Sequence, residues 1–182
     1  VLNLNAELVH CLIEHDADPN AINKDGFKPI HYAFYKNNFW LKENKGLPLA
    51  EYLRDNGTEY NINLAALFAD LNGVQSFLSK DPSISNFNDS CDKRPLSSAA
   101  AVGNEAMVKL LLENGADPMG SESNSPNGHA LWIAAFKNYP AIVEMLLNAG
   151  ADPHSMVHAC GSAFTAGKNH PDEGSSRRQT RT

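Results

Sequence analysis

The sequence predicts an all-α solenoid, in which short helix-turn-helix units stack side by side. Three similar decapeptides, HCLIEHDADP, KLLLENGADP and EMLLNAGADP, end at Pro19, Pro118 and Pro153. Around each decapeptide, apolar residues recur at i, i+3 and i+4, a spacing that places them on one face of a helix. The last two copies stop at Gly115 and Gly150, which are 35 residues apart and thus close to the period of a stacked helical repeat.

The end of each decapeptide is a signal that stops a helix. Gly115 and Gly150 occupy the position where a helix commonly ends in the left-handed conformation. The first copy carries Asp16 at this position, and aspartate tolerates that conformation better than most residues do. The Ala-Asp-Pro that follows leaves the helix, because proline forces the preceding residue towards extended geometry. Each decapeptide is therefore predicted to be the second helix of a unit.

The first helix of each unit is predicted upstream of the second. Alanine pairs at 99–100 and 134–135 are each followed by a break, near Gly103 or Asn138. Pro95 suits the first turn of such a helix, where its missing N–H is harmless. Because alanine is small, we expect the two antiparallel helices of a unit to approach closely.

The predicted helix stops test the repeat along the whole chain. They fall at Asp16, Gly57, Asp81, Gly115 and Gly150, with intervals of 41, 24, 34 and 35 residues. The first two intervals sum to 65, close to two periods of 33. We attribute the long interval to about eight extra residues near Phe39–Gly46, and the short one to loss of most of the extended connection before the third unit.

These units resemble the ankyrin repeat, a turn and T-P-L-H-x-A opening, two helices and an LL--GAD-N ending. The stretch DGFKPIHYA (25–33) matches the opening, and LLLENGADP and MLLNAGADP match the ending. The opening departs from the family pattern in two units, where Arg94-Pro95-Leu96-Ser97 and His129-Ala130-Leu131-Trp132 replace Thr-Pro-Leu-His. The resemblance covers roughly 6–154 and implies that His31 is the structural histidine that ties one turn to its neighbour.

The resemblance divides the chain into seven segments. They are a partial repeat at 1–22, a repeat with an insertion near 39–46 at 23–61, a degenerate repeat at 62–87, two repeats at 88–121 and 122–154, a vestigial or truncated repeat at 155–167, and a polar tail at 168–182. We expect the tail to be disordered, because it is rich in serine and arginine. The chain begins with Val1 inside a predicted helix, so we expect a fragment of a longer protein.

The resemblance implies a non-catalytic module that binds a partner protein through its concave surface, made of the finger loops and the exposed faces of the first helices. Such a module serves as a scaffold that recruits or positions its partner. Placed on this chain, the concave surface consists of Lys24, Phe27, Tyr35, Lys36, Leu67, Phe68, Lys93, Ala101, Val102, Phe136 and Lys137. Leu67 and Phe68 have an alternative role, since an irregular third unit could need them to fill a gap in its core.

The insertion in the second unit is a further candidate for contact. The stretch NFWLKENKG carries Phe39 and Trp40 out of a turn that is usually short. Exposed tryptophan often anchors an interface. The alternative, which we favour, is that Trp40 folds back over the third unit.

Composition excludes several classes of function. The net charge of −6 argues against a nucleic-acid surface, which needs clustered lysine and arginine. No apolar run approaches the roughly 20 residues that span a bilayer, so we expect neither a nucleic-acid nor a membrane partner. Cys11, Cys91 and Cys160 are odd in number and widely spaced, which favours reduced thiols and a cytoplasmic location. We expect a monomer.

No motif for catalysis or cofactor binding is found. The sequence lacks Gly-x-Ser-x-Gly, a phosphate-binding glycine loop and a dinucleotide fingerprint, so we expect neither an enzyme activity nor a cofactor. His154, His158 and Cys160 have spacing compatible with zinc, but no fourth ligand is evident. A metal or small-molecule site there remains a minor hypothesis.

A second functional hypothesis places the array in a larger enzyme. In this case the repeats recruit a substrate for a ubiquitin ligase or a pathogen effector, and the catalytic domain lies outside these 182 residues.

Overall fold

The computed structural model describes residues 6–36, 46–122 and 128–155. Across these ranges the chain is helical and forms no β-strand. The helices are α1 (Ala6–Glu14), α2 (Pro29–His31), α3 (Leu47–Asp55), α4 (Ile62–Leu67), α5 (Leu71–Lys80), α6 (Pro95–Val102), α7 (Glu105–Glu113), α8 (His129–Phe136) and α9 (Pro140–Asn148). A π-helical turn, Tyr32–Lys36, continues α2, and a 3₁₀ helix, Pro82–Asn86, follows α5.

Consecutive helices pair and the pairs stack. α4 packs against α5, α6 against α7, and α8 against α9. Between units, α4 lies on α6 and α6 lies on α8, while α7 lies on α9. First helices therefore stack on first helices and second helices on second helices. This arrangement confirms the predicted all-α solenoid.

The helix ends follow the signals in the sequence. Asp16, Gly57, Gly115 and Gly150 all have positive φ, between 62° and 97°. Asp81 also marks a helix end, but in another way. Its φ is −152°, and its carboxylate accepts the Ser83 N–H at 2.9 Å, which caps the 3₁₀ helix.

The apolar core has two clusters, and α4 belongs to both. Ile62, Ala65 and Ala66 contribute to the larger cluster, with residues of α5 to α9. Leu64 and Leu67 contribute to the smaller cluster, with residues of α2, the π-helical turn and α3. All six residues of α4 are buried. The short third unit therefore joins the two halves of the stack.

Two finger loops have the same turn. In the first finger (23–27), the Asn23 N–H donates to the Phe27 carbonyl at 3.1 Å, and the side-chain Oδ1 of Asn23 accepts from the Phe27 N–H. In the second finger (89–93), Asp89 and Lys93 make the equivalent bonds at 3.1 and 2.9 Å. An Asx side chain thus folds each finger from within.

The third unit has no finger, so the first and second fingers meet directly. The Gly26 carbonyl accepts a hydrogen bond from Ser90 Oγ at 3.0 Å and from Cys91 Sγ at 3.3 Å. A Cβ on Gly26 would collide with the Ser90 carbonyl oxygen. Gly26 also has a φ of 80°, in the left-handed region. Glycine is therefore required here both by backbone conformation and by space.

In the loops that follow the second helices, asparagine side chains link neighbouring units. Asn20 Nδ2 donates to the Gly57 carbonyl at 2.8 Å, and its Oδ1 accepts from the Glu59 N–H at 2.9 Å. Asn86 makes the same pair of bonds with Gly115 and Asp117, both at 2.8 Å. These amides satisfy backbone groups at the loops that follow the second helices.

Several predicted features lie outside the described residues. They are Phe39 and Trp40 of the insertion, His158 and Cys160, all but Ser155 of the segment 155–167, and the tail 168–182. The unit boundaries remain predictions. The longest described helix, α5, has 10 residues, and none of the helices placed by the structure has the length and apolar character to cross a bilayer.

Substituting Gly26 by alanine is expected to destabilise the protein more than the same substitution at Gly115. Both residues have nearly the same φ, 80° and 81°, so both variants incur the left-handed cost of about 1–2 kcal/mol. Only Gly26 faces a backbone carbonyl, whereas a Cβ on Gly115 meets nothing within 4 Å. Urea unfolding of the two variants measures the difference, and equal losses would contradict the close contact between the fingers.

Candidate functional site

Three predicted residue pairs occupy the same position on adjacent first helices. The pairs are Leu67–Phe68 at the end of α4, Ala101–Val102 at the end of α6 and Phe136–Lys137 at the end of α8, with Phe68 and Lys137 at the C-cap positions. Each pair immediately follows an alanine pair, and each lies at the C-terminal end of its helix. Because α6 packs between α4 and α8, the three pairs line one side of the stack. We call these six residues the helix-end row.

The α4 end of the row is held by the smaller core cluster. Leu67 is 5% exposed and packs in that cluster, as its alternative role as a core residue requires. Phe68 is half-buried and meets the Phe34 ring edge-on, with centroids 5.0 Å apart. The Arg54 guanidinium lies 4.8 Å from the Phe68 centroid, a cation–π contact. Leu67 is thus inaccessible to a partner, whereas Phe68 remains partly exposed.

The other two pairs are half-buried. Phe136 stacks on Trp132, with centroids 5.2 Å apart and ring planes 10° apart. Burial lowers the pKa of Lys137 below its usual value. Ala101 and Val102 pack at the margins of the larger and the smaller cluster, respectively.

The predicted finger residues differ in how far their side chains are buried. Lys24 is exposed. Phe27 is half-buried, with its ring centroid 5.7 Å from that of Tyr32. Tyr35 and Lys36 have their backbone in the π-helical turn, and their side chains lie outside the described part. Lys24 is therefore the most accessible of the predicted finger residues whose side chains are described.

Lys93 forms an ion pair with a buried carboxylate. Its Nζ lies 3.0 Å from Oε2 of Glu122, whose side chain is only 1% exposed. Glu122 also faces His129 Nδ1 at 2.9 Å, and its Oε1 accepts from the Arg94 N–H at 3.2 Å and from the Ser97 hydroxyl. The charge of Lys93 is thus balanced inside the protein.

Glu122 is held in its ionised form by the groups around it. Burial alone would raise the pKa of Glu122, but the interactions with His129, Lys93 and Ser97 outweigh it and lower the pKa to about 2. The ionised carboxylate therefore joins the second finger and α6 to α8. Sequence reasoning missed this cluster because its members are separated by up to 36 residues and form no motif.

A second polar cluster forms where the fingers meet. His31 Nδ1 accepts from the Lys28 N–H at 3.1 Å and lies 2.7 Å from Cys91 Sγ. Its Nε2 lies 3.8 Å from Asp89 Oδ2. His31 therefore ties its own turn to a neighbouring finger, as predicted, but that finger belongs to the fourth unit because the third has none.

A thiol, an imidazole and a carboxylate together suggest nucleophilic catalysis, but the environment opposes it. Burial, with a smaller effect of Asp89, raises the pKa of Cys91 to about 12. Burial also lowers the pKa of His31, despite the opposing effect of Asp89. Cys91 is 4% exposed and His31 2%, so the neutral thiol is sealed from substrate. The arrangement is structural and connects the first finger and α2 to the second finger.

The metal hypothesis gains no support from the described side chains. No group of three or more histidine, cysteine, aspartate or glutamate residues in 6–36, 46–122 and 128–155 is arranged to hold a metal ion. His154 is exposed, and the other two members of that predicted group fall outside these ranges.

Two family models match the chain. The model for ankyrin repeats in three copies matches residues 62–156, and the model for ankyrin repeats in many copies matches 5–54. The first alone covers more than half of the 182 residues. The chain belongs to the ankyrin-repeat family. No curated protein matches it.

Membership of the ankyrin-repeat family indicates in general terms what this array does. Ankyrin repeats are generally protein–protein interaction modules and are typically non-catalytic. Both buried polar clusters in this ankyrin array join one finger to the next stacked element, and neither opens to solvent. The side chains of the predicted surface that a partner could reach are therefore Lys24 and the partly exposed residues of the helix-end row.

Replacing Glu122 by glutamine is expected to lower the free energy of unfolding at pH 7 by on the order of 3 kcal/mol. The folded-state pKa of about 2 lies below the ordinary 4.5, so the stabilisation is present above pH 4.5. It is lost as the pH falls towards 2, and the difference between variant and parent should shrink over that interval.

Thermal and urea unfolding from pH 7 to pH 2 measure this effect. Glu113→Gln is the control, because Glu113 is exposed and lies 3.9 Å from the exposed Lys109. A pH-independent difference for Glu122→Gln would show that the ionised carboxylate does not contribute.

Cys91 is expected to react with iodoacetamide about 100-fold more slowly than Cys11, because labelling requires opening of the finger contact. Cys11 is exposed, whereas Cys91 is buried and its pKa is raised to about 12. Mass spectrometry of the labelled peptides gives the rate at each site. In urea the unfolded chain should be labelled at similar rates at Cys91 and Cys11, which serves as the control. Equal rates in the native protein as well would contradict the burial of Cys91.

Proposed function

We propose that this chain is a non-catalytic module that binds a partner protein through its concave surface. That surface consists of the two fingers and the accessible part of the helix-end row. The observation that carries the proposal is the row itself, which presents the partly exposed side chains of Phe68, Ala101, Val102 and Phe136 on three adjacent helices. Aligned apolar and aromatic groups of this kind favour a protein interface.

A comparison between units of the chain supports the choice of these positions. Ala65–Ala66, Ala99–Ala100 and Ala134–Ala135 are identical in three consecutive units, because stacking requires small residues there. The next position is Leu67, Ala101 or Phe136, and the one after it is Phe68, Val102 or Lys137. Apart from Leu67, which is buried in the smaller cluster, these varying positions are only half-buried, so stacking leaves them available for recognition.

The chemistry of the surface suggests the chemistry of the partner. Lys24 is exposed on the first finger and Lys137 closes the row at α8. The charge of Lys93 is balanced by Glu122, so it adds little attraction. A partner that presents apolar side chains beside carboxylates fits this combination.

Ala101→Arg and Lys24→Glu are each expected to weaken binding of such a partner by about 10-fold or more, because they add bulk or reverse charge within the interface. Affinity capture with the parent chain identifies the partner, and titration of the purified partner against each variant gives the affinities.

Lys109→Glu is the matched control. Lys109 is 69% exposed on α7, a second helix, and therefore lies away from the proposed surface. Thermal melting checks that every variant is folded. A partner that binds both row and finger variants as tightly as the parent, or that is lost only with Lys109→Glu, would place the interface elsewhere.

A further inference from the structure

The contact between the first finger (23–27) and the second finger (89–93), here called the finger joint, includes a buried histidine. His31 is 2% exposed, and Cys91, whose thiol it contacts, is 4% exposed. His31 Nδ1 lies 2.7 Å from Cys91 Sγ, and the same thiol donates to the Gly26 carbonyl of the first finger at 3.3 Å. The imidazole is therefore part of the contact that holds the two fingers together.

A hydrogen bond to Lys28 fixes which form of the imidazole the closed joint holds. A backbone N–H can only donate, so Nδ1 of His31, which accepts from the Lys28 N–H at 3.1 Å, carries no proton. The proton of the neutral ring is then on Nε2. A second proton on Nδ1 would place one N–H donor against another, and this hydrogen bond would be lost. The closed joint is thus specific for neutral histidine.

The surroundings of the ring also disfavour a positive charge. Burial has the largest effect and lowers the pKa of His31. Asp89 of the second finger acts in the opposite direction, whereas the Lys28 ammonium, which pairs with Glu59 at 2.6 Å, adds to the effect of burial. The first finger contributes the uncharged ring of Phe27, whose centroid lies 6.2 Å from that of the imidazole.

Asp89 is poorly placed to stabilise a protonated ring. Its Oδ2 lies 3.8 Å from His31 Nε2, which is beyond hydrogen-bonding distance. Its Oδ1 accepts from the N–H groups of Cys91 and Lys93, both at 2.9 Å, so its own finger holds this carboxylate in place. Burial raises the pKa of Cys91 to about 12, so the thiol is neutral and adds no negative charge. A proton on His31 in the closed joint therefore gains attraction to Asp89 without a hydrogen bond to it.

We propose that the finger joint is a pH-sensitive switch, closed around neutral His31 and opened when this imidazole binds a proton. In the open joint the ring is in water and titrates near its ordinary pKa of 6.5. The open joint thus binds the proton more tightly than the closed joint does. The stability of the closed joint is complete above pH 6.5 and is lost as the pH falls below it.

Opening of the joint would change the concave surface. Lys24 and Phe27 belong to the first finger, so separation of the fingers would move both relative to the helix-end row. This consequence for binding rests on the function proposed above, whereas the opening itself does not. Opening is measured on the chain alone, so the two proposals can fail separately.

Thiol labelling of the full 182-residue chain tests the switch, because Cys91 is accessible only in the open joint. The probe is a pyridyl disulfide, which reacts with thiols at neutral and mildly acidic pH, and exposed Cys11 gives the reference rate at each pH. The ratio of the Cys91 rate to the Cys11 rate should rise about 10-fold from about pH 7.5 to about pH 5.5, one unit below 6.5. An unchanged ratio would overturn the proposal.

His31→Asn shows whether His31 is the group that titrates. Asn63 and Ser97, like His31, lie two residues before a buried alanine, so the third and fourth units already carry side chains that do not titrate here. The Oδ1 of asparagine can accept the Lys28 N–H, and the labelling ratio should become independent of pH. His154→Asn is the control, because it removes an exposed histidine that follows α9 and should preserve the rise. A rise that persists in His31→Asn would overturn the proposal.

Two measurements on the parent chain decide the question even if His31→Asn fails to fold. An NMR titration should show that the imidazole of His31 stays neutral below pH 6.5, and titration at the ordinary value would overturn the proposal. Amide exchange in α7, relative to the intrinsic rate at each pH, should not rise together with the labelling of Cys91. A matching rise would show that the whole stack unfolds, and it would overturn the proposal too.

Discussion

The structure depends on the burial of one short helix, α4, between two apolar clusters. All six of its residues are buried, and its opposite sides contribute to the core of the second unit and to that of the fourth and fifth. A helix of six residues gains little stability from its own hydrogen bonds, so packing on both sides must hold it. Because this unit has lost its finger, the fingers on either side of it come together.

That meeting of fingers explains where the polar groups are buried. Gly26 allows the backbone of one finger to contact the other, and His31, Cys91 and Asp89 fill the space between them. One unit further along, Glu122 makes the corresponding joint to α8. Buried polar groups that are well paired fix one alignment of neighbouring elements, since any shift would leave a charge or a donor without its partner. Neighbours held in one alignment would lower the entropy cost of binding at the proposed surface.

Repetition within the chain separates residues that serve stacking from residues that are available for recognition. The alanine pairs and the leucines of the second helices recur because every unit buries the same surface. The helix-end row changes from unit to unit, and its members are partly exposed except for Leu67. If the proposed surface is correct, changes in the row and the finger tips would alter the partner while the stack underneath stays the same.

The sequence by itself determined the helices, their stops and their order. Asp16, Gly57, Gly115 and Gly150 adopt positive φ, a left-handed conformation that ends an α-helix without help from distant residues. The spacing of the apolar residues fixes which face of each helix is buried. Only the tertiary structure decided that Leu67 is a core residue, that Lys93 pairs with Glu122, and that His31 meets Cys91 sixty residues away. These contacts depend on the lengths of the connections and on the missing finger, which set the distance between units. Local signals cannot encode that distance, because each of them acts within a few residues of its own position.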